Sequence, residues 1–128
     1  MPSTLIETRV GWVTSPEAIL SAVHAAVAQA LKLPDWDGTI RLVEHPASHF
    51  PGPPGRGERF TLVTITLFKG RSLSAKRALY RALVESLEAA GVPPTDVTIT
   101  LLEVEAENWG IRGGQMASEV DLGFKVDV

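Results

Sequence analysis

Few side chains in this sequence are suited to chemistry, and the first of them lies at the amino end. Methionine is commonly removed ahead of a small residue such as Pro2, and the secondary amine so exposed would be the one ionisable group of its kind in the chain. An α-amine titrates near ~8 in a model peptide, and an apolar pocket or a neighbouring cation lowers it toward neutrality, where it acts as a base. Lys69 and Arg71 flank Gly70 where a strand should end and a helix begin, so both cations and the helix amides can meet one carboxylate. Asp37 precedes Gly38 in what is most simply turn chemistry. Trp109, next to Gly110 and near Ile111, can wall a pocket or pack in a core.

Other groups are less suited. His45 and His49 are four apart with Pro46 between them, which keeps them off one helical face, and no third ligand accompanies them, so no metal is expected. His24 sits at the edge of an apolar helical stripe, as a partly buried structural residue does. Gly52-Pro53-Pro54-Gly55-Arg56-Gly57 lacks the Lys-Ser/Thr that completes a phosphate loop, and no cofactor is expected. With no cysteine among 128 residues, thiolate chemistry, disulfides and Cys-based metal sites are excluded. Twelve Lys+Arg against fifteen Asp+Glu give a net charge of −3 with no basic run, which argues against nucleic-acid partners. No basic leader and no apolar stretch of membrane-spanning length is present in the chain, so a cytoplasmic protein without membrane partners is expected.

The elements that must position these residues come in a repeated order. Thr4–Val10 mixes apolar and polar residues as a half-buried strand; Thr14 or Ser15 then caps a helix, with Pro16 in its first turn and Glu17 as a capping-box partner of Thr14. Ile19, Leu20, Val23, Ala26, Val27, Ala30 and Leu31 form its apolar stripe, which stops at Leu33-Pro34. Thr39–Glu44 alternates as a second strand. Phe60–Phe68 reads as the third strand, Ser72 or Ser74 caps a helix carrying Leu79, Ala82, Leu83, Leu87 and Ala90, Gly91 stops it, and Val97–Val104 is the fourth strand. Leu33-Pro34 overlays Val92-Pro93, Asp37 overlays Asp96, and Leu42-Val43-Glu44 overlays Leu101-Leu102-Glu103, all at one offset of 59 residues.

A duplicated β-α-β unit follows: an α/β (α+β) fold with a four-stranded mixed sheet and both helices on one face. The whole chain, 1–128, is expected to be one domain, with a first βαβ unit at 2–45, a loop at 46–59, a second unit at 60–104 and a C-terminal loop or hairpin at 105–128. Four prolines and three glycines among the fourteen residues 46–59 argue for a surface loop without helix or strand. Alternation puts Val63, Ile65, Val97 and Ile99 on one sheet face and Thr64, Thr66, Thr98 and Thr100 on the other. That second face has no helix and too few charges for a solvated surface, so further subunits should cover it.

Taken together, Met1-Pro2, the duplicated βαβ unit and the run Gly70-Arg71-Ser72, Lys76-Arg77, Leu79-Tyr80, Val92-Pro93, Asp96-Val97, Glu103 and Asn108-Trp109 resemble the tautomerase superfamily. The likeness points particularly to the branch of malonate semialdehyde decarboxylase. It spans nearly the whole chain. The resemblance implies a homotrimer of double βαβ subunits and an amino-terminal proline working in a pocket near the sheet edge. By position, Pro2 resembles the catalytic proline, Asp37 the acid that positions or activates water, Lys69 and Arg71 the paired arginines, and Trp109 with Ile111 the aromatic wall. Lys69 stands where the family has arginine and Ile111 where it has an aromatic residue.

The activity so implied is keto–enol tautomerisation of small 2-oxo or 3-oxo carboxylic acids, with Pro2 moving the proton and Arg71 and Lys69 holding the carboxylate. The alternatives are a decarboxylase or hydratase of the malonate semialdehyde type, using Asp37 with a cationic Pro2, and a non-catalytic trimeric relative that keeps only the fold.

Overall fold

The computed structural model describes residues 1–128. Its main elements are β1 (Ser3–Arg9), α1 (Pro16–Leu31), β2 (Thr39–His45), β3 (Thr61–Phe68), α2 (Leu73–Ala89) and β4 (Val97–Val104), followed by a small hairpin of β5 (Gly110–Ile111) and β6 (Gln115–Met116). The four long strands form one sheet in the order β2-β1-β3-β4. β1 runs parallel to β2 and β3 parallel to β4, while the two units join through an antiparallel β1–β3 pair. This is the mixed sheet with two helices that the repeat implied.

Local chemistry explains the boundaries. Ser15 caps α1 by accepting the Ala18 N–H, with Pro16 in the first turn where its missing donor costs nothing. Since Ser15 and not Thr14 is the cap, Glu17 sits one position too early to close a capping box, which corrects that expectation. Ser72 caps α2 through the Ala75 N–H. β1 begins at Ser3 and ends at Arg9, one residue ahead of the expected span, and β3 starts at Thr61. His24 is partly exposed and contacts the Asp35 carbonyl at 2.7 Å, a structural role as its position suggested.

The core lies between one sheet face and the helices. Ile6, Val63, Ile65 and Leu67 meet Ile19, Val23, Val27 and Leu31 of α1 and Leu79, Leu83 and Leu87 of α2. Alternation puts the remaining strand residues on the opposite face, where no helix lies. Leu5 stands between Arg41 and Thr64, Glu7 between Val43 and Leu62, and Thr66 between Ser3 and Leu102. Leu102 is half exposed there. No helix is long and apolar enough to cross a membrane.

The duplication holds down to single hydrogen bonds. Val10 N–H donates to His45 O as Lys69 N–H donates to Val104 O, Leu33 to Ala28 as Val92 to Leu87, and Asp37 to Pro34 as Asp96 to Pro93. It also extends into the Pro/Gly segment. Ala47–His49 is a 3-10 turn matching Ala106–Asn108, and Phe50 N–H closes on Ala47 O as Trp109 N–H closes on Ala106 O. The segment 46–59 is therefore not wholly irregular. A single 3-10 turn needs neither the helix nor the strand that its prolines forbid.

Candidate active site

β1 starts and β2 starts side by side because the two strands are parallel, and this brings the amino terminus to the end of α1 and the turn that follows. Pro2 is buried, and its carbonyl accepts the Thr39 N–H at 2.9 Å. Gly38 has φ +102°, and a Cβ there would lie 3.3 Å from Pro2 O and 3.5 Å from its ring, so glycine both permits the turn and admits the proline. The same turn drives Asp37 inward until it is only 3% exposed.

A buried carboxylate needs a partner, and here the charged amino terminus supplies it. The Met1 amine lies 2.9 Å from Asp37 Oδ2. The ammonium group is therefore the partner of this otherwise buried Oδ2. Burial pulls the amine below its ordinary value of about 8, contact with the Asp37 carboxylate pushes it back up, and the Arg71 charge lowers it again. A terminal amine in this position is thus biased toward its neutral, basic form.

Arg71 lies in the β3–α2 connection and is 6% exposed. Its Nη1 donates to Phe68 O at 3.1 Å, while Nε and Nη2 are buried with no partner. Burial lowers its pKa, opposed by Asp37 and Glu103, yet arginine keeps its charge at any working pH. Two unpaired guanidinium donors in a buried site are ready to donate to a carboxylate. Trp109 packs its ring 4.9 Å from that of Phe68, the residue whose carbonyl Arg71 holds. Held by β5, Ile111 joins Trp109, Pro2 and Asp37 around a pocket of about 310 Å³.

Four of the expected site residues, Pro2, Asp37, Trp109 and Ile111, therefore share one pocket, and Arg71 adjoins it through Phe68 and through its charge. Lys69 does not join them within the subunit. It lies on the surface 3.0 Å from Glu105 Oε1, and that contact raises its pKa. Within the subunit Lys69 is exposed and Arg71 buried. Sequence reasoning missed Trp36, which lines the same pocket and is 68% exposed. An indole beside a buried Asp in a short polar turn was the available signal. Glu103, bound to Lys76 at 2.8 Å and acting on Arg71, was also missed as part of the setting.

Residues 37–112 match the profile of a family described as "Tautomerase enzyme". Over 53 residues the chain is 38% identical to a "probable tautomerase" of Ralstonia nicotianae, covering 41% of this chain and 76% of that protein. A solved fused 4-OT symmetric trimer is 25% identical with a TM-score of 0.82, over 91% of this chain and 96% of that one. A malonate semialdehyde decarboxylase inhibited by 3-bromopropiolate is 28% identical with a TM-score of 0.72, over 88% and 91% of the two chains. The matched segment holds Asp37, Arg71 and Trp109, three of the residues around the amino-terminal pocket, and the chain belongs to the tautomerase family.

Proposed function

We propose that the protein is a tautomerase of small 2-oxo or 3-oxo carboxylic acids, in which removal of Met1 makes Pro2 the terminal amine and the catalytic base. The observation that carries this is the buried amino terminus itself: an amine of lowered basicity next to Asp37, with two unpaired Arg71 donors close by. With Met1 attached the Pro2 nitrogen is an amide and cannot take a proton. With Met1 gone, the secondary amine belongs to Pro2, which lines the same pocket. Arg71 holds the substrate carboxylate, Pro2 takes a proton from the carbon next to the carbonyl and returns it at the other end of the enol system, and Trp36, Trp109 and Ile111 keep water away. Lys69 would act only from a neighbouring subunit or at long range. The uncovered sheet face fits a homotrimer, the assembly named for the fused 4-OT neighbour.

A decarboxylase or hydratase of the malonate semialdehyde type is the second reading. It is favoured by the Asp37–amine ion pair, which would keep Pro2 cationic and orient water, and by the 28% identical decarboxylase neighbour. Asp37→Asn separates the two. Tautomerisation of an arylpyruvate, followed by ultraviolet absorbance, is expected to survive the change, while decarboxylation of a 3-oxo acid, followed by NMR, is expected to disappear. Equal loss of both activities would make Asp37 a turn residue and overturn this division of roles.

A further inference from the structure

We propose that the cleft at the far end of the sheet, lined by Arg9, Trp12 and Arg59, binds a small organic monocarboxylate without transforming it. This cavity, of about 520 Å³, is larger than the amino-terminal pocket and is built from the β1–α1 connection and the end of the Pro/Gly segment. The internal repeat makes its walls the counterparts of functional positions: Gly11 and Trp12 stand at the positions of Gly70 and Arg71, and both glycines have positive φ, +112° and +130°.

The catalytic parts are missing at this end. Where the first unit offers a chain terminus, the second enters β3 through continuous backbone, and the Gly57 N–H donates to Asp96 Oδ1 at 2.9 Å in place of an amine. A Cβ on Gly57 would fall 2.6 Å from Asp96 Oδ2, so the backbone fills the space beside that carboxylate. No amine stands here, the two arginines keep their protons, and Glu58 is an exposed carboxylate.

Anion-binding parts are nevertheless present, from different residues. Arg9 is anchored by Nε to Phe50 O at 2.8 Å and by Nη1 to Gly57 O at 3.0 Å. Arg59 is anchored by Nη1 to Gly91 O at 2.9 Å and lies 5.4 Å over the Trp12 ring. These bonds leave Nε and Nη2 of Arg59 without a protein partner and hold the Arg9 guanidinium in place, its Nη2 beside Gly52, which lowers the entropy lost on binding. Glu58 in the lining offsets one of the two charges, which suits a monoanion, and Val10, Trp12 and Ala47 give the cleft apolar wall for its body.

The test is an NMR titration of ¹⁵N-labelled protein with benzoate, reading the Trp12 indole resonance identified by its loss in Trp12→Phe. A saturable shift is expected in the wild type and equally in Arg71→Ala, whose amino-terminal anion site is disabled. Arg59→Gln, at an exposed side chain, should weaken binding about tenfold, the effect of one lost charge-assisted bond. Inorganic phosphate should bind more weakly than benzoate. Absence of a saturable shift overturns the proposal, as does unchanged affinity in Arg59→Gln or loss of the shift in Arg71→Ala. A Trp12 signal that follows protein concentration and ignores benzoate would make the cleft an interface between copies, and would equally overturn it.

Discussion

Asp37 and Asp96 occupy the same place in the two halves of the molecule and have been put to different uses. Each is the last residue of a turn closed by its own N–H, on Pro34 O and Pro93 O respectively, and each is almost fully buried, 3% and 4% exposed. Asp96 meets a backbone amide from within the chain, a neutral donor fixed for good. Asp37 meets the charged chain terminus instead, across an ion pair of 2.9 Å, beside an Arg71 that keeps two donors without a partner. The opposing cation diverges in the same way, because Arg71 has Trp12 as its counterpart. One fold thus holds a finished structural contact at one end and an incomplete polar site at the other, and incompleteness is what a substrate can use.

The sharpest way to break this contrast is to remove the unpaired donors. Arg71→Ala should lower kcat/KM about ten- to a hundredfold, the value of a charge-assisted carboxylate bond of roughly 1.5–3 kcal/mol. Lys69→Ala should cost far less, since its ammonium group faces Glu105 on the surface. Comparable losses in steady-state kinetics would return Lys69 to the site. Next in size is the structural aspartate: Asp96→Ala orphans the Gly57 N–H and should cost about 1–3 kcal/mol in denaturant unfolding while leaving turnover per folded molecule unchanged. Altered turnover would join the two ends functionally. The smallest effect is expected of Trp36→Ala, which should raise KM for an arylpyruvate about two- to tenfold, in line with an aromatic contact of about 0.5–1.5 kcal/mol, and hardly affect a substrate without a ring. An equal change for both substrates would make Trp36 a packing residue.

Periodicity and punctuation made most of this fold legible. FTLVTITLF and VTITLLEV can only bury one face as strands, Ser15-Pro16 and Ser72 announce helix starts, and the shared offset of Asp37 and Asp96 disclosed the repeat. The repeat was followed only as far as the strands, because the prolines of residues 46–59 concealed that Phe50 and its 3-10 turn copy Trp109 and its own. Pro2, Asp37 and Trp109 were gathered into one site only by the family resemblance; the parallel starts of β1 and β2 bring Pro2 and Asp37 together, and the antiparallel β1–β3 pair brings the end of β4, with Trp109, to the same end of the sheet. Lys69 could not be placed. Lys69 and Arg71 are two apart and would share a face of an extended chain, but Gly70 between them has φ +130°, and Lys69 lies at the surface beside Glu105 while Arg71 is buried. Trp36 was missed because an exposed aromatic leaves no periodic trace.

On the proposed reading the amino terminus works as a base because this end of the duplicated fold buries it near Asp37 and Arg71. The direct measurement is a ¹⁵N NMR pH titration of the Pro2 nitrogen in the purified protein, alongside the pH dependence of arylpyruvate tautomerisation. Burial disfavours the protonated amine, so the account predicts a single titration below the ordinary α-amine value of about 8, with activity gained as pH rises through it and lost below it. In Asp37→Asn both curves should move to lower pH, because the carboxylate that favours the cation is gone. A Pro2 nitrogen that behaves as an amide and does not titrate in fully active protein, or an amine that titrates above 8 with activity indifferent to it, would contradict the account.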